Sequence, residues 1–404
     1  MSGQHGIDST SQSTSGDPPD RRVLELLERL VAFDTTSRNS NLELIEFTAG
    51  LLTACGASCA TVFSPDGRKA NLLATIGPDD RGGVLLSGHS DVVPVDGQHW
   101  RTDPFVLTEH GERFYGRGSC DMKGFLAVVL AAAPDFARAR LARPLHVAIT
   151  YDEEVGCLGV PVLIDAMREM PVLPRLCIVG EPTRMRVAVG HKGARAYHAR
   201  FRGRESHSSL APLSVNAVEH AADLVTRLTA LGRRFASDGP RDDDYEVGHT
   251  TVHTGVIRGG TQVNIVPADC EVEFEYRPLP EQDGDAPETL IRGWVEEEIT
   301  PAMRAVNPEC GVELARRYAY PGLATDPQAE VARLAGELAM SGEPIKIAFG
   351  TEAGCYQAGL GIPSVVCGPG SIRQAHQPDE YVEAAQLAAC ERFMGRLLEK
   401  LSSP

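Results

Sequence analysis

The chain of 404 residues is long enough for two domains, or for one large domain that carries an insertion. Hydrophobic residues make up 42% and charged residues 23%, which is ordinary for a globular protein. The formal net charge of −16 opposes binding to nucleic acid or to anionic membrane surfaces, and no apolar run reaches the roughly 20 residues that span a bilayer.

The first twenty residues are polar and lack the apolar centre of a secretory signal. We therefore expect a disordered tail over 1–20 and a cytoplasmic location. Apolar residues at helical spacing then predict a helix over 21–33, with Asp20 as its N-cap, and a second helix over 41–56.

Short β runs alternate with helical patterns through the next hundred residues. The runs are "NLLATIG", "GVLLSGH", "PLHVAITYDEE" and "RLCIVGEPT", with a helix predicted through "KGFLAVVLAAAPDFARA". This alternation predicts an α/β sheet with helices on both faces.

The rhythm changes at about Arg186. "RVAVGHKGARAYHARFRG" is typical of a hairpin or strand pair, and the following segments have the order β-α-β-β-α-β of a ferredoxin-like module. Beyond Pro321 the α/β rhythm returns. We expect four parts: the tail 1–20, a catalytic domain 21–185, an inserted α+β domain 186–319, and the rest of the catalytic domain 320–404.

Several catalytic motifs are absent from the sequence. It has no Gly-x-Ser-x-Gly elbow, no Walker loop and no His-Glu-x-x-His. The ten cysteines include no Cys-x-x-Cys, so we expect free thiols and not a redox enzyme.

Acidic and imidazole side chains follow the ends of the predicted strands. They are His89, Asp91, Asp121, Asp152, Glu153, Glu154, Glu181 and His376. In open α/β sheets ligands bind outside the carboxyl ends of the strands. Carboxylates gathered there would repel one another unless divalent cations neutralised them, and imidazole with carboxylate suits zinc, cobalt or manganese better than calcium.

Each of these motifs alone has a structural interpretation. A single strand-end histidine is usually hydrogen-bonded, "DEE" is usually a solvated turn, and "GEPT" suits a turn with a helix cap. A non-catalytic scaffold protein is also compatible with the fold, although it should have lost ligands or the base. All the motifs together at one sheet edge favour a metal-dependent enzyme.

The motif series resembles that of a dinuclear-zinc amidohydrolase family. Its members include acetylornithine deacetylase, succinyl-diaminopimelate desuccinylase, aminoacylase and glutamate carboxypeptidases. The segments that carry the resemblance are "GHSDVVPVDGQHW", "YGRGSCDMKGF", "DEEVGCLG", "VGEPT", "GHKGARAY", "SHSSLAPLSVNA", "EYRPLP" and "FGTEAGCYQAGLGIPSVVCGPGSIRQAHQPDEYV". The match as a whole covers nearly everything from Arg22 to the C-terminus.

The resemblance implies a zinc-peptidase-like catalytic domain with a mixed sheet flanked by helices, and an inserted lid that mediates homodimerisation. It implies two divalent ions per subunit, zinc or cobalt. His89 and Glu181 would bind one ion, Glu154 and His376 the other, and Asp121 both. A hydroxide bridging the ions would attack the amide.

Further roles follow from the same resemblance. Glu153 would be the general acid/base, Asp91 would orient the His89 ring, and His207 would stabilise the oxyanion in the partner's site. The residues implied in binding the substrate are Asn264, Arg277, Gly350 and Thr351. We further hypothesise that Glu352 pairs with a cationic substrate side chain.

The implied reaction is hydrolysis of a small N-acyl amino acid, with N2-acetyl-L-ornithine favoured as substrate. N-acetylcitrulline deacetylase, a broad aminoacylase and succinyl-diaminopimelate desuccinylase remain alternatives. The last is disfavoured by "TEAG", because that enzyme's pattern has a small hydroxyl residue after the threonine.

Overall fold

The computed structural model describes residues 18–403. Most of the predicted tail 1–20 therefore lies outside the described residues. Asp20 lies within them and caps the first helix as predicted, because its carboxylate accepts a hydrogen bond of 2.8 Å from the backbone N–H of Arg22.

Helices and strands alternate in the first part of the chain, at α1 (Arg21–Val31), α2 (Leu42–Ala54), β1 (Ser58–Phe63), β2 (Ala70–Ile76), β3 (Val84–His89), β4 (Thr108–His110), β5 (Arg113–Tyr115), α3 (Gly124–Arg138), β6 (Leu145–Thr150), α4 (Val160–Met167), β7 (Leu176–Pro182) and β8 (Ala188–His191). The irregular turn Ser119–Lys123 leads into α3 and contains a cis peptide bond between Asp121 and Met122.

The inserted elements are β9 (Ala194–Arg202), β10 (Ser206–His207), α5 (Ala217–Asp238), β11 (Thr251–Gly259), β12 (Ile265–Val266), β13 (Asp269–Arg277), α6 (Ala286–Gly293), α7 (Thr300–Val306) and β14 (Gly311–Tyr320). The last part contains β15 (Leu323–Ala324), α8 (Glu330–Ala339), β16 (Ile345–Ile347), α9 (Ala353–Leu360), β17 (Ser364–Gly368), β18 (Tyr381–Glu383) and α10 (Ala384–Ser402).

The large sheet is mixed, with the strand order β1-β2-β6-β3-β7-β17-β8-β15 and β16 paired to β8. Its centre, β6-β3-β7-β17, is parallel, and antiparallel strands lie at both edges. The predicted α/β class is confirmed.

Both faces of this sheet are buried under helices. On β3, Val84 and Leu86 pack in the cluster that contains α1, α3 and α10, whereas Leu85 packs in the cluster that contains α4 and α9. Alternate side chains of a strand point to opposite faces, which explains why this strand is apolar throughout.

β10 and β12 pair with each other in a two-stranded sheet. The remaining inserted elements follow the predicted order β-α-β-β-α-β, with α6 and α7 in the place of the second helix. They form a separate four-stranded antiparallel sheet in the order β11-β13-β9-β14, with its own core beneath α5. This is the strand order of a ferredoxin-like module.

The predicted strand pair "RVAVGHKGARAYHARFRG" is wrong. β8 pairs with β15, β16 and β17 in the large sheet, while β9 pairs with β13 and β14 in the small one. A strand pattern does not specify the partner strands, so the pattern alone did not show the change of sheet between His191 and Ala194. The four-part domain division remains a prediction.

Over the described residues 18–403, none of the helices is both long enough and apolar enough to cross a bilayer.

Candidate active site

His89 lies at the carboxyl end of β3 and is buried. Its Nδ1 is 2.8 Å from the backbone carbonyl oxygen of Asp91. A carbonyl can only accept a hydrogen bond, so Nδ1 carries a proton and the neutral ring would present the lone pair of Nε2. That nitrogen faces the cluster, 3.1 Å from Oδ1 of Asp121 and 3.7 Å from Oε1 of Glu181.

Asp121 lies between the two histidines. Its Oδ1 is near His89, and its Oδ2 is 3.5 Å from Nε2 of His376. The same His376 nitrogen is 3.0 Å from Oε2 of Glu154. The two oxygens of one carboxylate thus face two different imidazoles, and a second carboxylate lies beside each imidazole.

Strand register brings these groups to one edge. His89 is opposite Thr150, the last residue of β6, so the run Asp152–Glu154 begins beside it. Ser87 is opposite Val179 on β7, which carries Glu181 two residues further on. Carboxyl ends of parallel neighbours meet at the same edge, so the sheet brings His89, the acidic turn and Glu181 together, and Asp121 and His376 reach the cluster from loops.

One acidic residue of the run points elsewhere. Asp152 forms an ion pair with Lys69, and its backbone has a φ of +56°. Glu153 and Glu154 follow it into the cluster. One potential ligand atom from each of His89, Glu153 and Glu181 lies within 4.8 Å of the others, and the same holds for His89, Asp121 and Glu154.

Burial and neighbouring charges shift the pKa values of the carboxyl groups in the cluster. Burial raises the pKa of Glu154 to about 7, and the negative charge of Asp121 adds to the effect. Burial likewise raises the pKa of Glu153 and of Glu181 well above the usual range, with neighbouring carboxylates contributing. For Asp121 burial acts in the same direction, but hydrogen bonds from His376 and His89 outweigh it and lower its pKa.

The histidines show the complementary effect. Burial favours the neutral form of His89, but hydrogen bonding to Asp121 and the charge of Glu181 raise its pKa well above normal. Hydrogen bonds to Asp121 and Glu154 raise the pKa of His376 to about 10. The cluster therefore stabilises positive charge between its carboxylates, and its imidazole and carboxylate donors fit divalent cations such as zinc.

The carboxylate of Asp91 has a different contact from the one predicted. The ring of His89 is held by the backbone carbonyl of Asp91, whose nearest carboxylate oxygen is 3.7 Å from Nδ1. The carboxylate instead accepts hydrogen bonds from the N–H groups of Glu153 and Glu154, at 3.1 and 3.3 Å, and from the hydroxyl of Ser37 at 2.7 Å. Asp91 thus positions both the histidine and the acidic turn.

Two predicted residues of the inserted domain lie together on its surface. His207 on β10 is paired with Ile265, and the backbone carbonyl of Asn264 accepts from Ser208. Within residues 18–403, no hydrogen bond joins His207 or Asn264 to the cluster. Arg277 at the end of β13 donates from Nε and Nη2 to Glu275, at 2.8 and 3.3 Å.

Gly350 and Thr351 lie just before α9. A Cβ on Gly350 would come within 2.3 Å of the Tyr320 ring at the end of β14, so a larger residue there would displace that ring. The Thr351 hydroxyl accepts from the N–H of Ala353 at the start of α9.

The structure argues against the predicted pairing of Glu352 with a substrate side chain. Glu352 is 1% exposed and lies beneath the strand ends, where Oε2 accepts from the Thr150 hydroxyl at 2.9 Å and lies 3.5 Å from the Ser87 hydroxyl. Its Oε1 is buried without a hydrogen-bond partner. The sequence did not show that this acid faces the sheet.

The sequence interpretation also missed Glu380. It lies four residues after His376 in "AHQPDEY", and it is fully buried against the turn that carries Asp121. The sequence did contain a signal for Glu380. It is an acidic residue at a fixed spacing from a candidate ligand, in a motif from which the interpretation used only the histidine.

The mixed sheet and the acidic, histidine-containing cluster at its edge define a metal-dependent amidohydrolase. The profile of Peptidase family M20/M25/M40 matches residues 85–400, and the chain belongs to this family. The family resemblance noted in the sequence is confirmed.

Known proteins agree with this assignment. The chain is 37% identical over 375 residues to an acetylornithine deacetylase of Myxococcus xanthus, covering 92% of this chain and 95% of that protein. It superposes with a TM-score of 0.75 on an M20 family metallo-carboxypeptidase of Sulfolobus solfataricus, at 18% identity, over 95% and 99% of the two chains. A dinuclear metal-binding M20 peptidase of Bacillus subtilis superposes with a TM-score of 0.60, at 14% identity, over 95% and 98%.

The burial of Glu352 predicts a pH-dependent stability. Burial raises its pKa from 4.5 to about 7. Above pH 4.5 the unfolded state therefore loses this proton while the folded state keeps it, and stability falls until the pH passes about 7. In chelator-treated protein, Glu352→Gln should gain roughly 2 kcal/mol of unfolding free energy over the wild type between pH 5.5 and pH 8.

Urea denaturation at the two pH values measures this difference. Glu343→Gln removes the same charge at an exposed position and is the matched control. If the wild type and Glu352→Gln lost stability in parallel over this range, the buried carboxyl would not carry the proton.

Proposed function

We propose that this protein hydrolyses N-acyl amino acids, with N2-acetyl-L-ornithine as its principal substrate and L-ornithine and acetate as products. This would place it in arginine biosynthesis. The observation that carries the proposal is Asp121, whose two oxygens face two different histidines, each with its own carboxylate partner. The similarity to the Myxococcus acetylornithine deacetylase favours this substrate.

The ligand assignment follows the contacts. His89 and Glu181 would hold one divalent ion, His376 and Glu154 the other, and Asp121 would bridge them. Zinc fits this donor set, and cobalt is an alternative. Bound ions would lower the pKa of a shared water and polarise the amide carbonyl.

Glu153 is the proposed general acid/base. Asp91 fixes its backbone N–H, while burial and nearby carboxylates raise the pKa of its side chain. A raised pKa lets this carboxylate take a proton from water near neutral pH and return it to the departing amine. Its only hydrogen-bond donor among the described residues is the Cys157 thiol, at 3.6 Å, so the carboxylate can approach a substrate.

His207 is proposed to stabilise the oxyanion in the site of a partner subunit. The backbone N–H of Ser209 donates to its Nδ1 at 3.2 Å, so the neutral ring carries its proton on Nε2. That N–H is the donor an oxyanion requires. Since His207 is exposed on the inserted domain, a homodimer would bring it to the second site.

Arg277 and Asn264 are proposed to bind the amino-acid half of the substrate. Glu275 already engages Nε and Nη2 of Arg277. A substrate α-carboxylate would therefore bind through Nη1 or displace Glu275. Gly350 and Thr351 are proposed to line the same cleft, and Gly350 lies against Tyr320, the last residue of β14.

A panel of substrates tests the proposed reaction. N2-acetyl-L-ornithine should give a higher kcat/KM than N-acetylcitrulline, N-acetylmethionine or N-succinyl-diaminopimelate. Chelation should abolish the activity, and Zn²⁺ or Co²⁺ should restore it. Activity that persists after complete metal removal would contradict the mechanism, and a preference for another member of the panel would contradict the substrate.

Mixing two inactive variants tests the partner contribution. Glu153→Gln should lose roughly 10²–10⁴-fold in kcat, and His207→Ala should also be impaired. If His207 acts in the partner's site, mixed dimers contain one intact site, and random mixing should restore about a quarter of wild-type activity.

Subunit exchange can be verified with two affinity tags on the mixed sample. Purified mixed dimers that stay as inactive as the parent variants would show that His207 does not act across a dimer.

A further inference from the structure

The loop that carries His376 has an unfavourable backbone. His376 and Asp379 both have positive φ, +61° and +57°, in the left-handed region that non-glycine residues rarely occupy. Such a conformation is unfavourable and persists only where the surroundings hold it. Since the His376 side chain is half exposed, packing around the ring cannot supply that constraint.

A segment following β3 supplies part of it. The side-chain amide of Gln98 donates to the backbone carbonyl of His376 at 3.1 Å. The backbone N–H of Arg101 donates to Asp379 at 2.8 Å. Both left-handed residues are therefore held from the same stretch of chain.

Arg117 joins this segment to the turn before α3. Its Nη2 donates to Oε1 of Gln98 at 2.6 Å, and its Nη1 donates to Glu380 at 2.6 Å. The guanidinium also lies over the Trp100 ring, 5.0 Å from its centroid. The Trp100 indole N–H donates to the same Gln98 oxygen, which fixes the amide with its N–H side toward His376.

Glu380 completes the connection on the side of Asp121. Its Oε1 accepts from the backbone N–H groups of Cys120 and Asp121, both at 3.0 Å. Its Oε2 accepts from the N–H of Gly118 at 3.0 Å and from Arg117. A carboxylate with four donors, buried with its ion-pair partner, thus holds the backbone N–H groups of Gly118, Cys120 and Asp121 in the irregular turn before α3.

We infer that Gln98, Arg117 and Glu380 form a positioning network that sets the distance between Asp121 and His376. This inference rests on the proposed metal centre. The two residues come from separate loops, yet their ligand atoms must lie a few ångströms apart for Asp121 to share its carboxylate between two ions. Residues that orient ligands through hydrogen bonds commonly control metal affinity.

The alternative is that the network only stabilises the fold. Buried ion pairs are weak evidence for stability, because desolvation offsets much of their attraction. The two explanations predict different effects on metal binding. Disrupting a positioning network should weaken the binding of the ion held by His376 without a matching loss of stability in the metal-free protein.

Gln98→Glu separates the two explanations most cleanly. The carboxylate still accepts from Arg117 and Trp100, but it cannot donate to the His376 carbonyl. We expect the dissociation constant of the weaker Co²⁺ or Zn²⁺ site to rise roughly 10–100-fold when it is measured by chelator competition. The thermal midpoint of the metal-free protein should change little. Turnover should recover when excess metal is supplied.

Gln328→Glu, at an exposed position, adds the same charge and is the matched control. Glu380→Gln turns an amide toward backbone donors and should weaken metal binding more than Gln98→Glu. Arg117→Lys keeps the charge but loses the two-pronged contact, and it should fall between the wild type and Glu380→Gln.

The wild type sets the reference for these outcomes. If it binds fewer than two ions per chain, the proposed metal centre itself is wrong. If it binds two and Gln98→Glu and Glu380→Gln bind both with unchanged affinity, the centre stands and the network only stabilises the fold, whatever its effect on the thermal midpoint.

Discussion

Four carboxyl groups share one buried edge of the central sheet with two imidazoles, and this crowding of negative charge governs the rest of the structure. Burial raises the pKa of Glu153, Glu154 and Glu181, so the protein bears a cost for keeping them together. Divalent cations would offset that cost, and Asp121 lies where two of them would meet. A fold that gathers such groups without cations would be opposed by their mutual repulsion.

This arrangement depends on parallel strands whose carboxyl ends lie at one edge of the sheet. The register of β3 with β6 and β7 aligns His89 with the acidic turn and with Glu181. Asp91 and Glu380 then fix the backbone of three cluster residues by accepting their N–H groups. The metal-facing side chains are thus supported by two carboxylates that bind main-chain N–H groups. Asp91 follows β3 of the large sheet, whereas Glu380 precedes β18 in the separate three-stranded sheet.

Sequence patterns sufficed for the parts of the structure that depend on local periodicity. They predicted the α/β class, the cap at Asp20 and the placing of chemical groups after strands, because alternation and capping are local properties. They did not show the change of sheet between β8 and β9, since a strand pattern does not specify which strands it pairs with. Nor did they show that Glu352 faces Thr150 beneath the strand ends, or that Asp152 turns to Lys69, because side-chain direction at a strand end depends on backbone conformation that no spacing records.

The number of divalent ions that bind to the metal-free chain tests the central claim most directly. Isothermal titration of chelator-treated wild type with Zn²⁺ should show two ions per chain, and Asp121→Asn should weaken the binding of both. One ion per chain, or two ions whose binding does not depend on Asp121, would contradict the account.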